Sequence, residues 1–296
     1  MGEGGSSAAR VTRVVLGGLL TLFVLVEVNR PHLGLQSRLA IFALLGTLLC
    51  FLTVPAHRRV AGRSWARALD VVLSVSAVAV YGFIVVQTEE RFRGWWLEGT
   101  DLGNRAGLET GWDTAVGLAG LVLVFEATRR TLGWALPILA GVFLAYAAFG
   151  PSMPAWLFPH RGYGLERIVA QTFLHSQGVF GTALYVMFTY VFLFVVFGAV
   201  LQATGATRWV LDVARRVFGK SSGGPAKMSV LASGMLGSLS GSAVANTATT
   251  GTFTIPMMKD AGFEPEVAGG IEAAASSGGA LVPPVMGAVA YMMLEI

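Results

Sequence analysis

The chain has 296 residues, 54% of them hydrophobic and only 13% charged, with a net charge of +4 and a mean hydropathy of +0.65. Soluble domains carry about 25% charged residues, so these values exclude an ordinary soluble fold and imply an integral membrane protein. One cysteine, Cys50, excludes a disulfide framework or a cysteine metal cluster, and the basic residues are too dispersed for a nucleic-acid partner.

Apolar runs long enough to cross a hydrocarbon core of about 30 Å recur near 11–28, 39–54, 68–87, 112–128, 131–149 and 182–203. The first follows Arg10 and Arg13 and lacks a small-residue cleavage site, so it reads as a retained anchor. Counting basic residues gives an orientation. The N-terminus (Arg10, Arg13), the second connection (Arg58, Arg59, Arg63, Arg67), the fourth (Arg129, Arg130) and the sixth (Arg208, Arg215, Arg216, Lys220, Lys227) outweigh the alternate connections, which hold Arg30, Arg38, Arg91, Arg93, Arg105, Arg161 and Arg167. That bias predicts a cytoplasmic N-terminus, with loops 88–111 and 150–181 outside.

The first four spans carry ordinary membrane punctuation, with Pro31 and Pro55 at ends and Trp65, Trp95, Trp96 and Trp112 near interfaces; they read as a scaffold. "LERIVAQTFLHSQGVF" places Leu165, Ile168, Val169 and Phe173 at helical spacing, the pattern of a short helix lying in the interface. "RWVLDVARRVF" repeats it on the other side, with Trp209, Val213 and Val217 on one face. A plain amphipathic connector stays open for both.

After Lys227 the character changes: residues 228–258 carry no charge, and as one helix they would run about 46 Å, beyond a single crossing. Split in the middle, they make two half-length helices of about 15 residues with basic flanks, Lys227 and Lys259, which predicts a re-entrant hairpin entering and leaving on the cytoplasmic side. A single long tilted span is the alternative. Backbone that leaves helical geometry at membrane depth must be buried in protein or line a wet cavity, so a hairpin tip implies a site.

"SLSGSAVANTATT" has the ingredients for one. Gly241 permits the turn, while Ser240, Ser242, Asn246, Thr247, Thr249 and Thr250 supply neutral oxygens. The first half-helix ends at the tip in unpaired carbonyls that suit a dehydrated Na⁺; the second begins there with free N–H groups that suit a carboxylate. Gly237-x-x-x-Gly241 is also a small-residue packing motif, which accounts for the Gly and Ala residues better than for five Thr, three Ser and an Asn within 237–256.

The next segment, 267–295, starts as an apolar helix and then places Ser276, Ser277, Gly278, Gly279, Pro283 and Pro284 in its middle, the mark of a discontinuous helix. Glu272 stands about one turn before that break, as either a functional carboxylate or a side chain reaching water at a membrane surface. Enzyme readings fail: "FGKSSGG" has Ala214 where a phosphate-binding loop needs glycine, "GSLSG" has Leu239 where a nucleophile would stand, and all four histidines lie in connections.

The string running from "GSLSGSAVANTATTGTFTIP" through "EAAASSGGALVPPVMG", together with "FEATRRTLGWALPILAGVFLAYAAFGP", "HRGYGLERIV" and "GGPAK", resembles the large membrane subunit of tripartite ATP-independent periplasmic (TRAP) transporters, and more closely the fused permeases that work with TAXI-type binding proteins. The likeness covers 112–296, the N-terminal half of the DctM-like permease domain; residues 1–111 are similar only in hydropathy, where fused members carry the small four-helix subunit. It implies an all-α polytopic transporter of the elevator type in a bacterial inner membrane, with no enzymatic activity or cofactor. Na⁺ would be the coupling ion, a small organic anion the cargo, and a periplasmic TAXI-type substrate-binding protein the partner. Carried over, Ser240, Gly241, Ser242 and Asn246 at the tip, with Ser276, Ser277, Gly278, Gly279 and Pro283 at the break, would bind Na⁺ and substrate, with Thr249, Thr250 and Glu272 alongside and Na⁺ near Ser240, Gly241, Asn246 and Gly278. The family builds its site from two inverted repeats, and only the first is present, so a truncated or partial permease is expected; a partial, non-transporting membrane scaffold is the alternative.

Overall fold

The computed structural model describes residues 7–56, 64–154, 156, 158–283 and 286–293. The topology residues Arg58, Arg59 and Arg63, with His57 and Pro284, lie outside the described residues. Two compact units divide the chain, one through Tyr185 and the other from Val186.

The first unit is built on α1 (Ser7–Asn29), α2 (Leu35–Thr53), α3 (Ser64–Thr88) and α4 (Gly111–Leu132). All four are long and apolar enough to cross a membrane. Large apolar side chains such as Val14, Leu22, Val72, Val75 and Val122 stand exposed on them, as lipid-facing residues do. α4 shows how local chemistry sets an element's limits. Thr110 and Asp113 form a reciprocal capping box at its start, Arg129 and Arg130 occupy its last turn, and Gly133, at φ 86°, ends it.

That glycine corrects the expected span at 131–149. Residues 131 and 132 complete α4, and the helix beyond Gly133 is α5 (Ala135–Ala148), only 14 residues or about 21 Å long. It is too short to cross a core of about 30 Å alone. Among the described residues the fifth span-length helix is Thr182–Ala203.

The segment expected to lie in the interface, Leu165–Leu174, is a short α-helical turn (α6, Leu165–Val169) continued by a π-helical turn. Val169, Phe173 and Leu174 are buried, so the apolar stripe is a protein contact rather than a lipid one. The cause is glycine on α4: a methyl at Gly117 would meet Val169 Cγ1 at 2.5 Å, and one at Gly120 would meet the Phe173 ring at 2.1 Å. Leu165 alone of the stripe stays exposed.

The second unit contains α8 (Phe192–Ala203), α9 (Ala206–Phe218), α10 (Gly224–Ser240), α11 (Ala243–Asp260), α12 (Pro265–Gly279) and the short α13 (Ala288–Met292); α7 (Thr182–Val186) leads into it. Val210, Leu211 and Ala214 of α9 form a buried core with Met228, Ala232 and Leu236 of α10. The uncharged stretch 228–258 is broken, as expected, at its middle: Gly241 adopts φ 61° and α11 folds back on α10. The fold-back is recorded by Asn246 Nδ2 donating to the Ser233 carbonyl at 2.8 Å and by the Ser233 and Thr250 hydroxyls 3.2 Å apart. A single continuous helix is therefore ruled out, and the two arms, at 17 and 18 residues, are longer than expected. In the following segment the break falls later than its composition suggests. Ser276 to Gly279 form the last turn of α12, and residues 280–283 beyond it are turn and bend.

Candidate functional site

Three consecutive helices of the second unit each carry a stripe of small or polar residues spaced by about four, which a helix places along one face. On α10 these are Ser229, Ser233 and Gly237; on α11, Asn246, Thr250 and Thr254; on α12, Glu272, Ser276 and Gly279. α10, α11 and α12 pack mutually, and the three stripes face inward.

Glu272 lies at the centre, fully buried. Ser233 and Ser276 each donate to its Oε1 at 3.0 Å, and Thr250 donates to the same oxygen; Ser229 at 2.6 Å and Thr254 at 2.5 Å donate to Oε2. Five hydroxyls thus meet a group with about four lone-pair positions. The Thr250 and Thr254 hydroxyls also have helix carbonyls in reach, those of Asn246 at 2.8 Å and Thr250 at 3.1 Å. No basic side chain pairs with Glu272 among the described residues. The carboxylate is held by neutral dipoles alone, seven residues before the end of α12, and does not reach water at a membrane surface. Gly251 makes room for it: a methyl there would lie 3.3 Å from Glu272 Cγ.

Nearer the hairpin tip, α10 and α12 touch backbone to backbone. A methyl on Gly237 would stand 2.5 Å from Gly279 Cα, and one on Gly279 would stand 2.5 Å from the Ser233 carbonyl oxygen and 2.9 Å from Asn246 Nδ2. Asn246, 1% exposed, spends its amide nitrogen on Ser233, while its Oδ1 is buried without a hydrogen-bond partner. Beyond α12 the chain returns to the tip: Gly287 donates to the Ala280 carbonyl at 2.8 Å, and a methyl on Gly287 would lie 3.7 Å from the Gly241 carbonyl oxygen. Two helix breaks, at Gly241 and after Gly279, thus lie side by side.

Of the residues singled out in the sequence, Asn246, Thr250, Glu272, Ser276 and Gly279 converge. Ser242 caps α11 by accepting from the Ala245 N–H at 3.2 Å, and Ser240 stays at the tip, where it accepts from the Ser242 N–H at 3.4 Å. Thr249 and Ser277 turn back on the carbonyls of Ala245 and Ala273 in their own helices. Gly278 faces outward, so it is Gly279 that meets Asn246, and Pro283 is exposed in the turn after α12. Ser229, Ser233 and Thr254 escaped the sequence reading, although their four-residue spacing from Ser233, Gly237 and Thr250 was a usable signal. A groove of about 760 Å³ lined mainly by apolar residues, among them Val230, Leu231, Met235, Ile271 and Val282, also takes in Lys227 and Ser238 but none of the hydroxyls that hold Glu272.

Long apolar helices, with a buried polar cluster between three of them and two helix breaks close by, define a polytopic α-helical protein built as secondary transporters are. Residues 119–296 match the family described as "Tripartite ATP-independent periplasmic transporter, DctM component", and the chain belongs to that family. Its members are transporter permeases rather than enzymes. The chain is 31% identical over 130 residues to the 2,3-diketo-L-gulonate TRAP transporter large permease protein of Escherichia coli K12, covering 44% of this chain and 28% of that one. It is 32% identical over 98 residues to the sialic acid TRAP transporter permease protein of Haemophilus influenzae (33% and 16% of the two chains), and 33% identical over 98 residues to the sialic acid large permease protein of Vibrio cholerae (33% and 23%). The chain thus spans less than a third of the length of these relatives. No solved structure matches it.

Proposed function

We propose that the chain acts within the permease of a Na⁺-coupled TRAP-type transporter that imports a small organic acid handed over by a periplasmic binding protein of the TAXI type. The observation that carries this reading is the pairing of helix breaks at Gly241 and after Gly279 around Asn246, whose buried Oδ1 has no partner. A neutral oxygen beside helix ends suits a dehydrated monovalent cation, and the N-terminal end of α11 offers N–H groups to a carboxylate. Relatives named for sialic acid and for 2,3-diketo-L-gulonate support an organic acid as cargo. Residues 1–111 supply scaffold helices in this reading. The excess of Lys and Arg in alternate connections supports a cytoplasmic N-terminus in the inner membrane, with the α10–α11 hairpin re-entering from that side.

The test is uptake by the complete permease and binding protein in proteoliposomes. Removing Na⁺, and separately introducing Asn246→Ala, should each reduce uptake, the variant by about tenfold or more if one of few cation ligands is lost. Uptake indifferent to both would overturn the proposal.

A further inference from the structure

We propose that α9 is a docking surface for anionic phospholipids at one face of the membrane. The helix is amphipathic in an unusual way, because its apolar arc is only half used by the protein. At about 100° per residue, Val210, Leu211 and Ala214 fall on the part of the arc that packs against Met228, Ala232 and Leu236 of α10. The neighbouring part carries Trp209, Val213 and Val217, of which Trp209 is 61% and Val217 58% exposed. The remaining face holds Arg208, Arg215 and Arg216, with Lys220 just beyond the helix and Asp212 as the single acid.

The occupant follows from chemistry and position. The span-length helix Thr182–Ala203 ends two residues before α9, and Gly205, at φ 90°, makes the turn, so α9 starts where the chain leaves a membrane crossing. Arg208, Arg215, Arg216 and Lys220 are exposed, and among the described residues none of them has a carboxylate in ion-pair reach; Arg215 touches only the Met257 sulfur, at 3.7 Å. Arg105, by contrast, is paired with Asp113, and Arg130 with Asp70 and Glu126. An indole and a valine flanked by unneutralised guanidiniums match acyl-chain and phosphate depth in a leaflet rich in anionic lipid. Because the other half of the arc is fixed to α10, a lipid held here would tie the first arm of the hairpin to the membrane surface. This inference rests on the membrane assignment and not on transport or on Na⁺.

The full chain would be reconstituted in nanodiscs of phosphatidylcholine containing equal mole fractions of brominated phosphatidylcholine or brominated phosphatidylglycerol. The Trp209 signal is taken as the difference between the wild-type chain and Trp209→Phe. We expect the brominated anionic lipid to quench Trp209 roughly two- to fivefold more strongly at low salt, with the preference collapsing at high salt and in the Arg208→Gln, Arg215→Gln, Arg216→Gln variant. Equal quenching by the two lipids would overturn the charge selection. Absence of quenching by either would overturn the lipid assignment and place a protein on the stripe. Both comparisons are read first on the wild-type chain, so a variant that fails to fold does not rescue the idea.

Discussion

The two units bury charge in opposite ways. In the first, Arg105 and Asp113 meet at 2.8 Å, both essentially inaccessible, and Arg105 also donates to Gln87 and to the carbonyls of Leu97 and Thr100. Arg130 is likewise enclosed, between Asp70 at 2.7 Å and Glu126 at 2.8 Å and over the Phe51 ring. In the second, Glu272 is just as deeply buried with hydroxyls in place of a counter-charge. An ion pair has one good arrangement, and removing one partner strands the other. Hydroxyls can donate, accept or turn to a neighbouring helix carbonyl, so a carboxylate held by them sits in an adaptable shell.

The largest effect should come from stranding a charge. Asp113→Ala leaves the Arg105 guanidinium buried and unpaired and should cost about 3–5 kcal/mol in detergent-solubilised unfolding. Glu272→Gln should cost less, about 1–3 kcal/mol, because Thr250 and Thr254 already have the carbonyls of Asn246 and Thr250 within 2.8 and 3.1 Å. If the two variants cost the same, the contrast between rigid and adaptable burial fails.

Packing gives the next test. Gly237→Ala would set a methyl 2.5 Å from Gly279 Cα and should destabilise the second unit by about 1–3 kcal/mol. Gly234→Ala, one turn earlier with nothing within 4 Å of the added methyl, should be neutral or stabilise by up to about 1 kcal/mol from helix propensity. Similar destabilisation by both would show that α10 and α12 do not meet at Gly237.

The smallest effect is one of pH, in the first unit. Partial burial pushes the Glu109 carboxyl up, but hydrogen bonds from the Gly107 N–H and from His175 outweigh it and hold the group below its ordinary range. A carboxylate held low in the folded state contributes stability above its unfolded value, about pH 4.3, and loses it as pH falls through the folded value. Amide protection across residues 165–175, taken relative to the intrinsic exchange rate at each pH, should therefore fall below about pH 4.3 in the wild-type chain. Glu109→Gln should flatten that change; an unchanged profile would show that the Glu109–His175 contact does not hold this segment.

The sequence alone determined the class of the molecule and much of its outline. Composition implied a membrane protein, hydropathy located most of the crossings, and an uncharged stretch too long for one crossing foretold the turn at Gly241, because all three are properties of contiguous residues. The 131–149 run misled because a single glycine, Gly133, decides where α4 ends, and a hydropathy window averages across it. The stripe at Leu165–Phe173 was legible as periodic, but an interfacial helix and a plain connector both stayed open, since periodicity names an apolar face without naming its partner; Gly117 and Gly120 on α4 supplied one. The same limit governs the site. Asn246, Thr250 and Ser276 were visible as polar residues in an apolar chain, but Ser229, Ser233 and Thr254 became ligands of Glu272 only when three helices turned their four-residue stripes toward one another. Local spacing determines which residues share a face. Only tertiary packing decides which faces meet, and so whether a buried carboxylate finds a counter-charge or a ring of hydroxyls.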